Sequence, residues 1–313
     1  MDFEKWQGKR YYSLSAYFKN EYGARIEKIS VDAGLSCPNR DGTLGDRGCI
    51  FCSAGGSGDF AQSIDAVDEA INNYKCNGKG SRYVIYFQAF TNTYGDIDYL
   101  ERIWSYALSK EDVIGISIAT RPDCLGDEVL SLLKKLRDKC DNLEFGIRKF
   151  IWIELGLQTI HETTATYIRR GYSLDVYDEA IDKLSKIKIP YITHVILGLP
   201  FETPQMMLET VSYVSARNPF GIKLQLLHVL ENTDLAKEYE AGKFEVLTME
   251  EYLDILIDCI RNLKPDIVIH RVTGDGPKNI LIAPKWSGNK KYVLNQLHKM
   301  MKNCGAYQGE NIV

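Results

Sequence analysis

The chain has 313 residues, 45% of them hydrophobic and 26% charged, and its formal net charge is −4. These values are typical of a globular protein with a full hydrophobic core, and the net charge does not favour indiscriminate binding to nucleic acids. No apolar run approaches the roughly 18 residues of a membrane span, and the charged first residues lack the apolar centre of a signal peptide, so we expect a cytoplasmic protein.

Short runs rich in β-branched and aromatic residues alternate with longer helical patterns. The predicted strands are residues 25–31, 82–87, 113–119, 151–156, 189–197, 222–229 and, more weakly, 266–269. The predicted helices are residues 64–76, 97–108, 126–139, 174–187, 204–217, 248–263 and 290–302. Strands that alternate with helices imply βαβ units and a parallel sheet.

About six βα units predict an α/β fold in the form of a partial, open TIM-type barrel, with a flavodoxin-like open sheet as the alternative. We assign residues 25–232 to the barrel core, residues 1–24 to an N-terminal extension, and residues 233–313 to a C-terminal extension with a basic tail packed on the core. In such barrels the chemistry lies on the loops at the carboxyl ends of the strands.

Three cysteines lie close together just after the first predicted strand. Cys37, Cys49 and Cys52 form a C-x11-C-x2-C pattern. Three thiolates can hold a soft metal centre, but they are one ligand short of a closed tetrahedral zinc site, and the nearest histidine is His161. In a [4Fe–4S] cluster, three cysteines leave one iron with an open position that can bind a small molecule. We therefore favour an iron–sulfur cluster, with zinc as the rival metal.

Further segments accompany the cysteines along nearly the whole chain. They are residues 8–12, 32–34, 37–42, 87–94, 119–123, 154–159, 194–200 and 270–277. With the cysteine pattern, these segments resemble the YhcC/YtqA-like branch of the radical S-adenosylmethionine (radical SAM) superfamily. The resemblance implies a [4Fe–4S] cluster on the three cysteines, SAM at the open iron, and reductive cleavage of SAM to a 5′-deoxyadenosyl radical. It also implies a one-electron donor such as flavodoxin or ferredoxin.

The resemblance assigns further residues to SAM binding. Phe51 directly precedes the last cysteine and is expected to shield the cluster and face the adenine. The second strand departs from the usual acidic motif, so backbone carbonyls, Gln88 or Thr91 are expected to bind the SAM amino group instead. The remaining assignments are Thr120, Arg121, Glu154, Gln158, Arg170, His194 and Leu199. No acid–base catalytic residue is predicted.

Two of these assignments have a specific chemical reason. Glu154 lies within an apolar strand and needs a partner, which we expect to be the SAM ammonium, a ribose hydroxyl or an arginine. Arg170 is expected to grip the SAM carboxylate, because a guanidinium can bind a carboxylate through two parallel hydrogen bonds.

The branch resembles enzymes that act on the wobble uridine of tRNA, where a carboxymethylaminomethyl side chain is shortened to aminomethyl. We therefore expect tRNA, bound near its anticodon, as the partner. The basic C-terminal tail would contact phosphates, and aromatic residues of the N-terminal extension would stack on unpaired bases. The candidate substrate-binding residues are His228, His270, Arg271, Lys285, Lys290 and Lys291.

Two other functions remain open on the sequence. One is a radical SAM enzyme that acts on a small molecule or a peptide, with a lysine-rich tail that is only solvated surface and an N-terminal segment that is only packed core. The other is a metal-bearing nucleic-acid adaptor without catalysis. Salt-sensitive binding of tRNA distinguishes the first of these from the tRNA enzyme, and cleavage of SAM excludes the second.

Overall fold

The computed structural model describes residues 3–56, 58–78, 81–274 and 276–312. One parallel sheet of eight strands forms its centre. In sheet order, the strands are β2 (Gln62–Ser63), β1 (Glu27–Asp32), β3 (Tyr83–Phe87), β4 (Val113–Thr120), β5 (Phe150–Gln158), β6 (Tyr191–Leu197), β7 (Gly221–Leu226) and β9 (Val268–Arg271). A separate antiparallel pair joins β8 (Val229–Leu230) to β10 (Leu281–Ala283).

The sheet curls into a partial barrel. Lys28 on β1 reaches Glu154 on β5, with an Nζ–Oε1 distance of 2.6 Å, although β3 and β4 lie between these strands. Lys223 on β7 reaches the hydroxyl of Tyr86 on β3 at 3.0 Å. Contacts across one face between such distant strands need a strongly curved sheet, whereas an open flavodoxin-like sheet has helices on both faces. The predicted partial TIM-type barrel is confirmed.

Helices pack on the outer face of the barrel and close its lower end, which is the end at which the strands begin. They are α1 (Leu14–Tyr22), α2 (Val67–Cys76), α3 (Ile97–Ser109), α4 (Asp127–Asp141), α5 (Glu162–Tyr167), α6 (Leu174–Lys186), α7 (Pro204–Ala216), α8 (Asp234–Glu240), α9 (Met249–Arg261) and α10 (Lys290–Asn303). On α3, Leu100, Trp104 and Leu108 recur at helical spacing and are buried against the sheet. Within the described ranges, none of the helices has both the length and the apolar character that a membrane crossing requires.

The predicted elements occur with bounds that differ by a few residues. The elements that the patterns missed are short: α1 has nine residues, α5 has six, α8 has seven, and β2, β8 and β10 have two or three. Segments of this length contain too few residues to show a hydrophobic period. Strand β9 belongs to the main sheet, and the proposed division into a core and two extensions remains a prediction.

Aromatic and aliphatic side chains close the barrel at the amino ends of its strands. This plug consists of Phe18, Ile26, Val84, Ile114, Trp152 and Ile192. The Phe18 ring on α1 stacks on Trp152 with a centroid distance of 5.9 Å. Elsewhere in the N-terminal segment, the side chains of Trp6, Tyr11 and Tyr12 are also buried. The prediction that these aromatic residues stack on RNA bases is therefore wrong, because they are already part of the core.

Candidate functional site

The three cysteines line one cavity of about 260 Å³ at the carboxyl ends of the barrel strands. Each of the three side chains is half-buried and reduced. Backbone hydrogen bonds fold the loop between them, since the Cys37 carbonyl accepts from Arg40 N–H at 2.8 Å and the Cys49 carbonyl accepts from Cys52 N–H at 3.0 Å. The C-x11-C-x2-C loop is thus a defined turn structure that holds its thiols at the cavity wall.

Two polar side chains brace the cysteine loop. Arg40 donates from its guanidinium to the carbonyl of Cys52 at 3.2 Å, which joins the two ends of the loop. The Asn39 amide donates to the Arg169 carbonyl at 2.8 Å and lies 3.6 Å from the Cys49 sulfur. A hydrogen bond with Cys52, and a smaller contribution from Asn39, lower the pKa of Cys49 to about 6 despite its burial. A thiolate is the form of cysteine that binds iron.

The arrangement of the thiols bears on the choice between zinc and a cluster. In the part of the chain that the structure describes, no three His, Cys, Asp or Glu side chains converge on a point as the ligands of a single ion do. A cubane cluster makes a different demand, because each cysteine binds a different iron. Three thiols in the wall of one cavity are suited to bind three different irons of one cluster.

Most of the residues predicted for SAM line this same cavity. They are Phe51, Gln88, Thr91, Thr120, Arg121, Glu154, Gln158, Arg170 and His194. Two of the residues predicted for the substrate, His228 and Arg271, also lie in its wall. The fold thus brings to one place residues that are dispersed between positions 37 and 271, although their individual roles remain predictions.

The side chain of Gln158 has an unsatisfied hydrogen-bond acceptor in the cavity wall. Its side-chain oxygen is buried in the cavity wall and accepts no hydrogen bond from the described residues. Its backbone is also in the left-handed region, with φ of 68°, which is uncommon for a residue other than glycine. A buried acceptor without a donor is costly, so this amide fits a bound polar group such as the amino or hydroxyl group of SAM.

The two arginines of the wall are held by the protein itself. Arg121 binds both carboxylate oxygens of Asp123, at 2.9 and 2.7 Å. Arg170 donates to the carbonyls of Thr159 and Tyr172 at 2.7 and 2.9 Å and to Glu162 at 2.8 Å. Both guanidinium groups thus already bind oxygen atoms of the protein, and a grip of Arg170 on the SAM carboxylate remains a prediction.

A layer of polar side chains crosses the barrel below the cavity, one from each of six adjacent strands. This middle layer consists of Lys28, Tyr86, Ser117, Glu154, His194 and Lys223. The Glu154 carboxylate is its centre and is fully buried. It accepts from Lys28 at 2.6 Å, from Ser117 at 2.5 Å and from His194 Nε2 at 2.7 Å, and it pairs with Lys223.

This geometry corrects the expected partners of Glu154. Its two oxygens already accept four hydrogen bonds, and a carboxylate offers about four such sites. The protein therefore supplies two lysines, a serine and a histidine where we expected the SAM ammonium, a ribose hydroxyl or an arginine. The role that the structure assigns to Glu154 is that of a counter-ion inside the barrel.

Burial and neighbouring charges shift the pKa values of Glu154, His194 and Lys223. Burial alone would raise the pKa of Glu154, but the charges of Lys223 and Lys28 hold this pKa well below its ordinary value. Burial, reinforced by the charge of Lys223, lowers the pKa of His194 to about 4. Burial also lowers the pKa of Lys223 to about 7, although Glu154 opposes the shift. His194 is therefore neutral at neutral pH, and it donates its Nε2–H to Glu154.

Some predicted residues lie away from the cavity. Leu199 packs in a second apolar cluster with Ile50 and Leu235, behind the wall. His270 packs against Trp152 and Phe220, with ring centroids 5.4 and 5.7 Å apart. The expectation that His270 binds the substrate is therefore wrong, because this ring belongs to the closed lower end of the barrel.

A second cavity, of about 830 Å³, adjoins the first. The two share Asp59, Gln88, Arg271, Gly274 and Gly276 in their walls. The outer cavity is lined by Phe60, Lys278, Lys290 and Lys291, all exposed. Lys285 lies outside this lining and donates to the Leu281 carbonyl, so its predicted contact with substrate is not supported.

The residues of the two cavities that the sequence analysis missed include Tyr86, Lys223, Phe60 and Lys278. A signal for Lys223 was present, because a lysine within the buried apolar strand Gly221–Leu226 needs a polar partner inside the protein. Phe60 and Lys278 lie in loops, where no period indicates the direction of a side chain.

Residues 42–214 match the radical SAM superfamily, and residues 219–303 match the Radical_SAM C-terminal domain. The first match alone spans more than half of the chain. The chain belongs to the radical SAM superfamily. Its cofactors are accordingly a [4Fe–4S] cluster and SAM, and the three cysteines in one cavity wall are suited to hold the cluster.

Individual relatives agree with this assignment. YtqA of Bacillus subtilis, an uncharacterized protein, is 42% identical over 96% of this chain and 92% of its own length. YhcC of Escherichia coli is 32% identical over 91% of this chain and 90% of its own length. The predicted superfamily and its YhcC/YtqA-like branch are confirmed.

More distant likenesses concern shorter parts of larger proteins. A tRNA uridine(34) acetyltransferase of Methanocaldococcus jannaschii is 26% identical over 61% of this chain, which corresponds to 33% of that protein. The solved structure of an N-terminally deleted Elp3 from Methanocaldococcus infernus superposes with a TM-score of 0.68 at 15% identity. It covers 90% of this chain, whereas this chain spans only 64% of that one, and at this identity the likeness bears on the fold.

Proposed function

We propose that this protein is a cytoplasmic radical SAM enzyme that shortens the carboxymethylaminomethyl side chain of a tRNA wobble uridine to aminomethyl. The observation that carries the proposal is the basic outer cavity, which continues into the cavity of the three cysteines through shared walls. A flipped base entering by this path would have its phosphates near lysines and its side chain near the cofactors.

The chemistry of the outer cavity suits a single-stranded nucleic acid. Lys278, Lys290 and Lys291 are exposed cations that can contact phosphates. Phe60, of which 61% is exposed, offers an aromatic face on which an unpaired base can stack. Because the N-terminal aromatic residues are buried in the core, Phe60 replaces them in our proposal as the stacking residue.

The inner cavity suits radical chemistry. When bound, the cluster and SAM supply a 5′-deoxyadenosyl radical, which removes a hydrogen atom from a C–H bond. The thiols of Cys37, Cys49 and Cys52 would hold the cluster, and Phe51 and Gln158 lie in the same wall, where SAM would bind. The protein's own task is to position the target C–H bond and to exclude water. Apolar side chains that line the cavity, Ile168, Ile196, Leu226 and Leu227, serve the second purpose.

A relative supports the choice of substrate. The tRNA uridine(34) acetyltransferase to which this chain is 26% identical has a name that specifies the wobble position of tRNA. A wobble uridine lies in a loop of unpaired bases, the form of RNA that proteins can splay out and read. The electron donor, flavodoxin or ferredoxin, remains a prediction from the superfamily.

The direct test is mass spectrometry of tRNA nucleosides from a strain that lacks the gene. We expect carboxymethylaminomethyluridine to accumulate and the aminomethyl derivatives to decline, and we expect the gene on a plasmid to restore both. A normal nucleoside profile in the deletion strain, with the protein present in the parent strain, would contradict the proposal.

RNA binding gives a second test. The double variant Lys290→Gln/Lys291→Gln should bind an anticodon stem–loop more weakly and should reduce the slope of log affinity against log salt by about two. The matched control is Lys183→Gln/Lys186→Gln, which removes two lysines from the last turn of α6. Binding that ignores both salt and the Lys290/Lys291 change would favour a small-molecule or peptide substrate.

A further inference from the structure

The sulfur of Cys49 lies beside a side-chain amide in the cysteine loop. Asn39 Nδ2 is 3.6 Å from Cys49 Sγ, a distance that an N–H···S hydrogen bond spans. Among the residues that the structure describes, no amide makes such a contact with the sulfur of Cys37 or Cys52. The three cysteines that are suited to hold the cluster are therefore not equivalent in their surroundings.

Two backbone carbonyls fix which atom of this amide faces the sulfur. Asn39 Nδ2 also donates to the Arg169 carbonyl at 2.8 Å and to the Arg170 carbonyl at 3.4 Å. If the amide were turned over, its oxygen would face two carbonyl oxygens, and none of the three atoms carries a proton to donate. The amide therefore directs one N–H to these carbonyls and has its second N–H for the Cys49 sulfur.

The surroundings of Asn39 hold the amide in this position. Only 6% of Asn39 is exposed, and its own carbonyl accepts from Gly48 N–H at 2.7 Å. Gly171 packs so closely on the amide that a Cβ at this position would lie 2.8 Å from Asn39 Oδ1. The φ of Gly171, 81°, is in the region that favours glycine. The amide is thus fixed between the cysteine loop and the turn that follows α5.

The partners of the Cys49 sulfur depend on whether the sulfur carries a proton. As a thiol, Cys49 donates to the Arg169 carbonyl at 3.6 Å. Cysteine binds iron as the thiolate, which has no proton for this bond, whereas Asn39 can still donate its N–H to the sulfur. An N–H donor stabilises negative charge on sulfur, and hydrogen bonds to the sulfurs are among the factors that set the reduction potential of an iron–sulfur cluster.

We propose that Asn39 is a positioning residue of the cluster site, whose N–H···S bond to Cys49 raises the reduction potential of the [4Fe–4S] cluster. In the step concerned, an external one-electron donor of the flavodoxin or ferredoxin class is oxidised, the cluster is reduced by that electron, and no covalent bond forms or breaks. The electron adds negative charge, so the hydrogen bond stabilises the reduced form more than the oxidised form. The inference goes beyond the proposed function, because it holds for any substrate.

The first arm of the test is a redox titration of the cluster-loaded protein without SAM, followed by EPR of the reduced cluster. Asn39→Leu keeps the approximate shape of the side chain and removes both N–H donors. The equilibrium constant for reduction should fall roughly tenfold, which for a one-electron couple is a shift of about 59 mV to lower potential.

The matched control for this titration is Thr43→Val. It removes the 2.9 Å hydrogen bond between Thr43, an exposed residue of the same cysteine loop, and the Tyr94 hydroxyl, and it changes no charge. Its reduction potential should equal that of the parent protein. An unchanged potential in Asn39→Leu, or an equal shift in Thr43→Val, overturns the proposal.

The second arm uses the parent protein, so its result does not depend on a variant that loads the cluster. Pulsed EPR of the reduced protein, labelled with ¹⁵N in its asparagine side chains, should show a ¹⁵N coupling to the cluster, and Asn39→Asp, which has the same shape but no N–H donor, should lose it. Absence of the coupling from the parent protein, or its persistence in Asn39→Asp, overturns the proposal. Neither arm uses RNA, so failure here leaves the tRNA substrate untouched, and a normal nucleoside profile in the deletion strain leaves the role of Asn39 untouched.

Discussion

The two ends of the barrel use strands β3, β4, β5 and β6 for opposite purposes. At the amino ends, Trp152 and its neighbours form an apolar plug without a charged group among its members. Two residues further along β5, Glu154 belongs to a layer of ions and hydrogen bonds. The cavity of the cysteines lies above this layer. Burial of apolar side chains stabilises a fold, whereas burial of a charge costs free energy unless the charge is paired. The comparison indicates that the lower end maintains the fold and that the upper end carries function.

The largest effect is expected at the cavity end. Cys49→Ala should abolish the visible absorption of the cluster and reduce 5′-deoxyadenosine formation below detection, because a cluster ligand is lost. The urea-unfolding midpoint of the protein without its cluster should change little. Cys76→Ala, a change at an exposed cysteine on α2, is the control and should retain both cluster and activity. A Cys49→Ala protein that still cleaves SAM would remove the basis of the site.

A substitution in the plug should instead reduce the stability of the fold. Trp152→Ala should lower the free energy of unfolding by about 4 kcal/mol, because it leaves a cavity among the aromatic rings that stack on this side chain. Phe60→Ala, which changes an exposed ring, should lower it by less than about 0.5 kcal/mol. Urea unfolding of the cluster-free protein measures both, and equal effects would mean that the lower end does not hold the fold.

The middle layer should respond as a coupled unit. Glu154→Gln removes the counter-ion of Lys28 and Lys223, and we expect a loss of about 3 kcal/mol in unfolding free energy. Glu154→Gln combined with Lys223→Met should cost less than the sum of the single changes, because the second change removes a cation that the first leaves unpaired. Strict additivity in urea unfolding would show that the two side chains do not interact.

The smallest expected effect is a loss of stability at acidic pH. The pKa of His194 is about 4 in the folded chain and about 6.5 in the unfolded chain, so the unfolded chain holds more protons between these values. Stability is therefore full above pH 6.5 and is lost as the pH falls toward 4, by about 1–2 kcal/mol at pH 5. His194→Gln should flatten unfolding free energy between pH 6.5 and 5, while Phe60→Ala keeps the slope. The same slope in His194→Gln would assign it to other groups.

Much of the architecture is visible in the chain itself. Cys37, Cys49 and Cys52 lie within sixteen consecutive residues, so their spacing alone indicates three ligands for a soft metal centre. The strands are apolar runs separated by helical periods, and this alternation is a local property that needs no tertiary information. These two features predict the barrel and a metal centre, and the resemblance to the radical SAM superfamily implies the [4Fe–4S] cluster and SAM.

The charged middle layer, in contrast, cannot be predicted from local sequence patterns. Lys28, Glu154 and Lys223 lie far apart in the chain, and nothing in the three short runs that contain them indicates that they meet. The same holds for the N-terminal aromatic residues, whose composition suits either stacking on bases or packing in a core. Folding decides between these, because the plug needs apolar rings to close the barrel and α1 supplies Phe18.

The sequence by itself determined the longer strands and helices and the three thiols, because periodicity and close spacing are encoded within short stretches of chain. Only the tertiary structure decided that Glu154 is a counter-ion, that His270 packs against Trp152 of the plug, and that Lys223 lines the cavity. The curvature of the sheet is the reason: it brings the inner faces of distant strands within hydrogen-bond reach, and curvature is a property of the assembled barrel.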